Sequence, residues 1–516
     1  NLTVTFDSWN GGAGNSRIEL WQNGVLTNNF VVNPTFPDLS GNGPYDVRVV
    51  YNGATLDVFV DLNKNGLDAA DLVFAAVPVN LAALGAVDAA GAAYVGFSAR
   101  TGGSNEIQEV RKFSLNTTGA ASVTKNGSGV FTLSGASSYT VGTTVNTGTL
   151  LVNGSITSDV LVNAAGTLGG NGTINGNVSG TGTFSPGNSP GTMTINGDFT
   201  PAGTVNFEVN SPWSTAGTDY DQYIVSGIVD LSAATLTFTN NLDASAPIAN
   251  SLLTLISKTS AGAATASTNF AEGATVNIGS RQFRIFYGGG DGNDVVLVEN
   301  STPPLVYVDD NFAGNTGQLI LDADLGTAGN QSAVFGVNAF ATLGAALAAA
   351  APGATIIVNG GTYNETITLS NNVVLEITGP DAAQNVTISV LASVAGTQVT
   401  IEGSSNLTIG NNSSFTIAGA ISGTGSLTKL GAGTVTITGN NSGYSGDFIL
   451  GNGTSNTSTT GSATGGSGGF VIVGHNNALG TGTIISRGAQ LRASTAGIVI
   501  GNAVEIEGGG FRIGGG

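Results

Sequence analysis

The pattern Lys-x-Gly-x-Gly-x-x-Thr-[Leu/Ile]-x-Gly occurs twice in this chain, as Lys125-Asn-Gly127-Ser-Gly129-Val-Phe-Thr132-Leu133-Ser-Gly135 and as Lys429-Leu-Gly431-Ala-Gly433-Thr-Val-Thr436-Ile437-Thr-Gly439. Each copy is a glycine turn, a short strand of alternating apolar and Thr residues, and a second turn. A strand that short cannot bury its apolar face alone, so it must stack on neighbouring coils. Around the first copy the triplet Gly-Thr-apolar returns at Gly148, Gly166, Gly172, Gly182, Gly191 and Gly203. Short strands punctuated by glycine predict a β-solenoid.

Composition agrees where it bears on that reading. Charged residues are 9% of the 516, against about a quarter in ordinary globular proteins. Asn, Ser and Thr carry the polarity instead, and they hydrogen-bond along the ladders that stacked coils create. The 80 glycines suit the corners where φ is positive. A net charge of -19 opposes binding to nucleic acid, which is excluded as a partner. No apolar run is long enough for a transmembrane helix, and Ala345 to Ala351 falls far short. The absence of cysteine rules out a disulfide scaffold and thiolate metal sites. The sequence opens at Asn1 and stops within a repeat at Gly516, which reads as a segment of a longer polypeptide.

Five regions are expected. Residues 1–116 hold cleanly alternating strands, as in Tyr45-Asp-Val-Arg-Val-Val-Tyr51 and Thr55-Leu-Asp-Val-Phe-Val60, and predict an antiparallel sandwich. Val4-Thr-Phe6-Asp7-Ser-Trp9, Tyr45-Asp-Val-Arg48 and Ala93-Tyr94-Val-Gly96-Phe97-Ser98-Ala99-Arg-Thr101-Gly102-Gly103 resemble the second half of the legume-type (L-type) lectin fold. Residues 117–210 form a solenoid block. Ser128-Gly-Val-Phe-Thr-Leu-Ser-Gly-Ala136 with Tyr139, and Ser185-Pro-Gly-Asn188-Ser-Pro-Gly191-Thr-Met-Thr-Ile195, resemble the passenger strand repeats of bacterial autotransporters. Residues 211–299 gain aromatics and read as a terminating β-module. Residues 300–337 comprise a linker, Ser301-Thr-Pro-Pro304, and a first strand, Val306-Tyr-Val-Asp309. Residues 338–516 begin with the one credible helix, with Asn338 as N-cap and Pro352-Gly353 as stop. The strands that follow resemble the start of a pectate-lyase-type parallel β-helix, which implies a helix-capped stack continued by the second repeat copy. The fold class is therefore all-β: right-handed parallel β-helix blocks, an N-terminal jelly-roll-like antiparallel sandwich, and one short capping helix near 338–351.

The metal-ligating candidates are Asp61, Asn63, Asn65, Leu67 and Asp71. Oxygen ligands at positions 1, 3 and 5, glycine at 6 (Gly66) and a backbone oxygen at 7 match a calcium loop, and calcium in a structural role is the expected cofactor. Position 12, where a bidentate acid belongs, holds Leu72, with Asp71 one residue early; an Asn-Gly hairpin tip would read much the same. The lectin resemblance implies a calcium and manganese pair, but only Asp7 carries over. Thr5 stands at the Glu position, Asn10 sits one residue early, and Arg17 occupies the region of the His. Gly289-Gly-Asp291-Gly-Asn-Asp294 matches one calcium nonapeptide and reads more simply as a tight hairpin. His475, the only histidine, reads as an exposed turn and cannot serve a triad.

No catalytic residues are assigned. The acids beyond residue 325 are scattered singly, and the Glu505/Glu507 pair has no third acid near it in sequence. The chain reads as an extracellular structural or adhesive protein of a bacterial surface, a solenoid stalk with a lectin-like module. The alternatives are a glycan-binding adhesin and a polysaccharide lyase or hydrolase. The expected partners are neighbouring copies or further segments of the same polypeptide, and surface glycans.

Overall fold

The computed structural model describes residues 2–7, 17–31, 45–86, 122–240, 252–377, 382, 384–410, 413–451, 469–507 and 511–514. The chain divides into two units, Asn1–Phe113 and Ser114–Gly516.

The first unit is a sandwich of two three-stranded antiparallel sheets. One pairs Leu2–Asp7, Arg17–Gln22 and Val25–Val31. The other pairs Val47–Tyr51, Thr55–Val60 and Leu72–Pro78. Alternation drives the packing: Ile18 and Leu20 from one sheet meet Leu56, Val58, Val60 and Phe74 from the other in a single core. The third lectin-like phrase, Ala93 to Gly103, lies outside the described residues.

The second unit is built of coils with three short strands each. On one face of its first block Thr149, Thr167, Thr183, Thr204 and Thr235 follow one another in parallel register. The next position inward supplies Leu150, Leu168, Phe184, Val205 and Leu236, all at most 1% exposed. Each such side chain contributes about 2 kcal/mol relative to an exposed one. Four of the Gly-Thr-apolar triplets are thus successive rungs of one ladder; Gly172-Thr-Ile174 stacks on another face, between Ser155-Ile156 and Thr194-Ile195. The glycines before these threonines answer to crowding: a Cβ on Gly203 would sit 2.0 Å from the Gly182 carbonyl oxygen one coil away. The interval between rungs is shortest over Thr149 to Thr183 and widens from there to Thr204–Thr235.

Parallel stacking stops at Leu252–Lys258. This strand lies parallel to Gln222–Val225 but antiparallel to Asp294–Glu299, which pairs in turn with Arg281–Gly289. Phe286, Val296 and Val298 of this antiparallel end pack against Val334 and Val337. Ser301–Pro304 has no regular secondary structure, and its prolines are engaged: the Pro303 and Pro304 carbonyls accept from the Ala351 and Thr355 amides, both at 3.0 Å.

The second block repeats the three-faced plan. Val306, Ile356, Leu375, Val399 and Ile421 make one inward ladder, at most 2% exposed. Its helix spans Leu343–Ala349 and inserts Leu343 and Ala346 into the core. The expected N-cap, Asn338, is corrected: the cap is Thr342, whose Oγ1 accepts from the Ala345 amide at 3.2 Å. The reason is pairing. Ala339–Phe340 forms a strand parallel to Tyr307 and Val308, so helical geometry cannot begin before it ends, and Asn338 instead accepts from the Val334 amide at 2.7 Å. Glu365 completes the cap, accepting from the Leu343 and Gly344 amides at 2.8 Å each.

Candidate functional sites

The repeat motif acquires its meaning from the lysine. Lys125 pairs with Val145 and Lys429 with Ile409 and Leu450, so each stands in an inward row otherwise apolar. Each ammonium turns into the glycine turn that follows. Lys125 Nζ donates to the carbonyls of Asn126 (3.0 Å), Gly127 (2.6 Å) and, on the next coil, Thr147 (3.0 Å). Lys429 Nζ donates to Leu430 (2.6 Å) and Gly431 (2.8 Å). Gly127 and Gly431 have φ of 78° and 76°, the left-handed region that glycine enters without strain. Further along, Tyr139 and Tyr444 fill the coil interior at 0% and 1% exposure. Burial pulls the Lys429 ammonium down to about 8 and lowers Lys125 as well.

A third lysine does the same work and was not read from the sequence. Lys258, paired with Val225, donates from Nζ to Ser260, Ala261 and Gly262 at 2.7–2.8 Å. Its turn lacks the Gly-x-Gly spacing; a lysine closing an apolar strand and a glycine four residues on were the available signal.

In the first unit, the predicted calcium loop follows the strand Thr55–Val60. Asp61 is buried and accepts from the amides of Asn65 (3.2 Å) and Gly66 (2.8 Å), and Asn63 Oδ1 accepts from Asn65 at 3.1 Å. Asp61, Asn63 and Asn65 therefore share one turn, with Gly66 at φ 102°. Asp71, also buried, accepts from the Asp68 amide at 2.8 Å in a capping box of the 3-10 turn Ala69–Asp71. Leu67 lies between the two. The set is all oxygen, the donor type a hard cation takes, though among the described residues no three His, Cys, Asp or Glu side chains gather for a metal. Of the lectin positions, Asn10 and the side chain of Asp7 lie outside the described residues. Thr5 Oγ1 instead donates to Glu19 Oε2 at 3.4 Å, and Glu19 also takes the Trp21 indole N–H at 3.0 Å.

The remaining sequence candidates are distributed through the coils. Gly289 and Asp294 close an antiparallel hairpin, where Asp294 accepts from the Lys258 amide at 2.7 Å and burial raises its carboxyl to about 6. His475 stands in a half-buried turn and its Nδ1 accepts from the Asn477 amide at 3.0 Å. Glu507 pairs with Arg487 at 2.6 Å. Sequence reading also missed two acids that the first block brings together. Asp221, 1% exposed, accepts from the Gly191 and Glu208 amides at 2.9 and 2.8 Å. The Glu208 carboxylate accepts from Ser189 Oγ and, at 2.8 Å, from Asn210. Desolvation, helped by the Glu208 charge, raises the Asp221 carboxyl to about 7.

The coils pinned by Lys125 and Lys429 match a known repeat. Residues 123–152 and 427–454 fit the family described as passenger-associated-transport-repeat. The chain is also 46% identical over 70 residues to the adhesin BmaC autotransporter of Brucella suis biovar 1 (strain 1330), a match covering 13% of this chain and 2% of that protein. The chain thus matches only a small fraction of that relative's length. No solved structure matches. Repeats of this class set the protein at the cell surface or outside the cell.

Proposed function

We propose that the chain is a structural and adhesive passenger, a β-solenoid with a lectin-like module in the same polypeptide, and that its role is mechanical and adhesive, with no reaction catalysed. The observation that carries this reading is the recurrence, in two solenoid blocks, of a coil that matches a passenger repeat and is pinned by its own lysine. Its partners on this reading are neighbouring copies or further segments of the same polypeptide, and surface glycans. The test is display. Antibody labelling of intact bacteria expressing the full chain, with adhesion measured with and without it, should show surface labelling and a gain in adhesion; chain confined to the cell interior would overturn the reading.

A structural calcium ion in the first unit is part of the proposal, on the shared turn of Asp61, Asn63 and Asn65 with Asp71 nearby in sequence. A ligand bound by the folded state alone raises the melting temperature by mass action. Calcium should therefore stabilise the first unit, and Asp61→Ala should abolish the rise. An equal calcium response in that variant would reduce the loop to a turn.

A further inference from the structure

The first solenoid block carries an open, shallow groove of about 510 Å³ on its outer surface. Its floor is two outward rows of one face. Thr149 and Thr167 are successive rungs of one row, and Leu151, Gly169 and Ser185 of the next, with neighbouring rungs about 4.8 Å apart. Gly169 supplies no side chain, and Leu151 leans over its place, with Cδ2 3.1 Å from where a Cβ would stand. Asn206 extends the second row, with Nδ2 3.5 Å from Ser185 Oγ. The wall is the loop through Gly187, Asn188 and Ser189, and it is anchored from below: Asp221 holds the Gly191 amide and Glu208 holds the Ser189 hydroxyl.

The lining decides the ligand. Hydroxyls of Thr149, Thr167 and Ser185 and the amides of Asn188 and Asn206 offer donors and acceptors, and Leu151 offers one small apolar platform. No lysine or arginine lines the groove, and its formal charges are the Glu208 and Asp221 carboxyls. An anionic ligand would find no counter-charge and would meet repulsion. We propose that the groove binds a linear, neutral oligosaccharide lying along the stack of coils, its C–H face on Leu151 and its hydroxyls on the threonine and asparagine rows. This rests on the adhesive reading, for which it supplies a ligand site.

Calorimetry with the purified full chain tests it, using neutral hexose oligosaccharides against uronate oligosaccharides of equal length, and hydrogen exchange for the footprint. Neutral chains should bind and protect the amides around Ser185 to Ser189. Asn188→Ala and Thr167→Lys should each weaken binding, the latter about tenfold through loss of a hydrogen bond and of space. Thr416→Lys, an exposed threonine of the second block, should leave it unchanged. Equal or tighter binding of uronates, or an affinity that Asn188→Ala and a folded Thr167→Lys both leave intact, would overturn the proposal. Cells that adhere equally well with these variants would remove the groove and keep the adhesive reading; a chain that binds neutral saccharide yet never reaches the surface would do the reverse.

Discussion

The two pinned coils share a motif and differ in depth. Lys125 lies at the start of its block, 7% exposed; Lys429 lies mid-stack between Ile409 and Leu450, 0% exposed, and both donate to carbonyls of the turn that follows. The same ammonium is therefore much more costly to keep charged in the second block, since desolvation grows with burial. The first block has the opposite burden, a buried carboxyl beside another carboxylate. Among the buried carboxyls and lysines, the most strongly shifted group is thus an acid in the first block and a cation in the second.

That contrast is broken or sharpened first by pH. Asp221 has a folded value of about 7, above its ordinary 3.8, so its contribution is fully present below about pH 4 and lost as pH rises through 7. The change is on the order of 4 kcal/mol. Lys429 has a folded value of about 8, below 10.5, so the second block gains stability as pH rises between those values. Block-resolved hydrogen exchange should show the first block weakening from pH 4 to 7 and the second strengthening from pH 8 to 10.5. Asp221→Asn should remove the larger part of the first slope, leaving the part below about pH 6 that Asp294 contributes; an undiminished slope would overturn the assignment.

A smaller effect comes from removing the pins. Lys429→Met should cost about 2 kcal/mol by taking the donor from turn carbonyls that include those of Leu430 and Gly431, and Lys125→Met about half of that, because water reaches its turn more readily. Denaturant melts followed at each block would measure both, and a larger loss at Lys125 would reverse the argument from depth.

The smallest effect belongs to the helix of the second block, for which the first has no counterpart among the described residues. Glu365→Ala should cost about 1 kcal/mol, since the carboxylate serves two N-terminal amides and Thr342 still serves a third. Faster exchange at Leu343 and Gly344 would register it, and unchanged exchange there would mean that Thr342 caps the helix alone.

The legible part of this protein was its local rhythm. Gly-Thr-apolar triplets gave the rungs, alternation gave the sandwich strands, and Lys-x-Gly-x-Gly gave the repeated coil, because each is a property of a few adjacent residues. The misreadings were questions of pairing. Asn338 looks like an N-cap until Ala339–Phe340 is seen to pair with Tyr307 and Val308. Glu208 and Asp221 look unrelated until the coil between them returns the chain to the same place. Lys258 escaped because its turn keeps the carbonyls and drops the glycine spacing by which the others were recognised.

The widening of the rungs has a consequence for how the chain folds. Closing a loop costs entropy that grows with its length, by about 0.6 kcal/mol per doubling. The short coil from Thr149 to Thr167 therefore closes at less cost than the long one from Thr204 to Thr235, and each completed coil presents a hydrogen-bonding edge to the next. Folding should nucleate at the narrow coils and propagate by templating. The antiparallel strands Arg281–Gly289 and Asp294–Glu299 would then dock last and halt the advance, because their direction offers no parallel edge to extend.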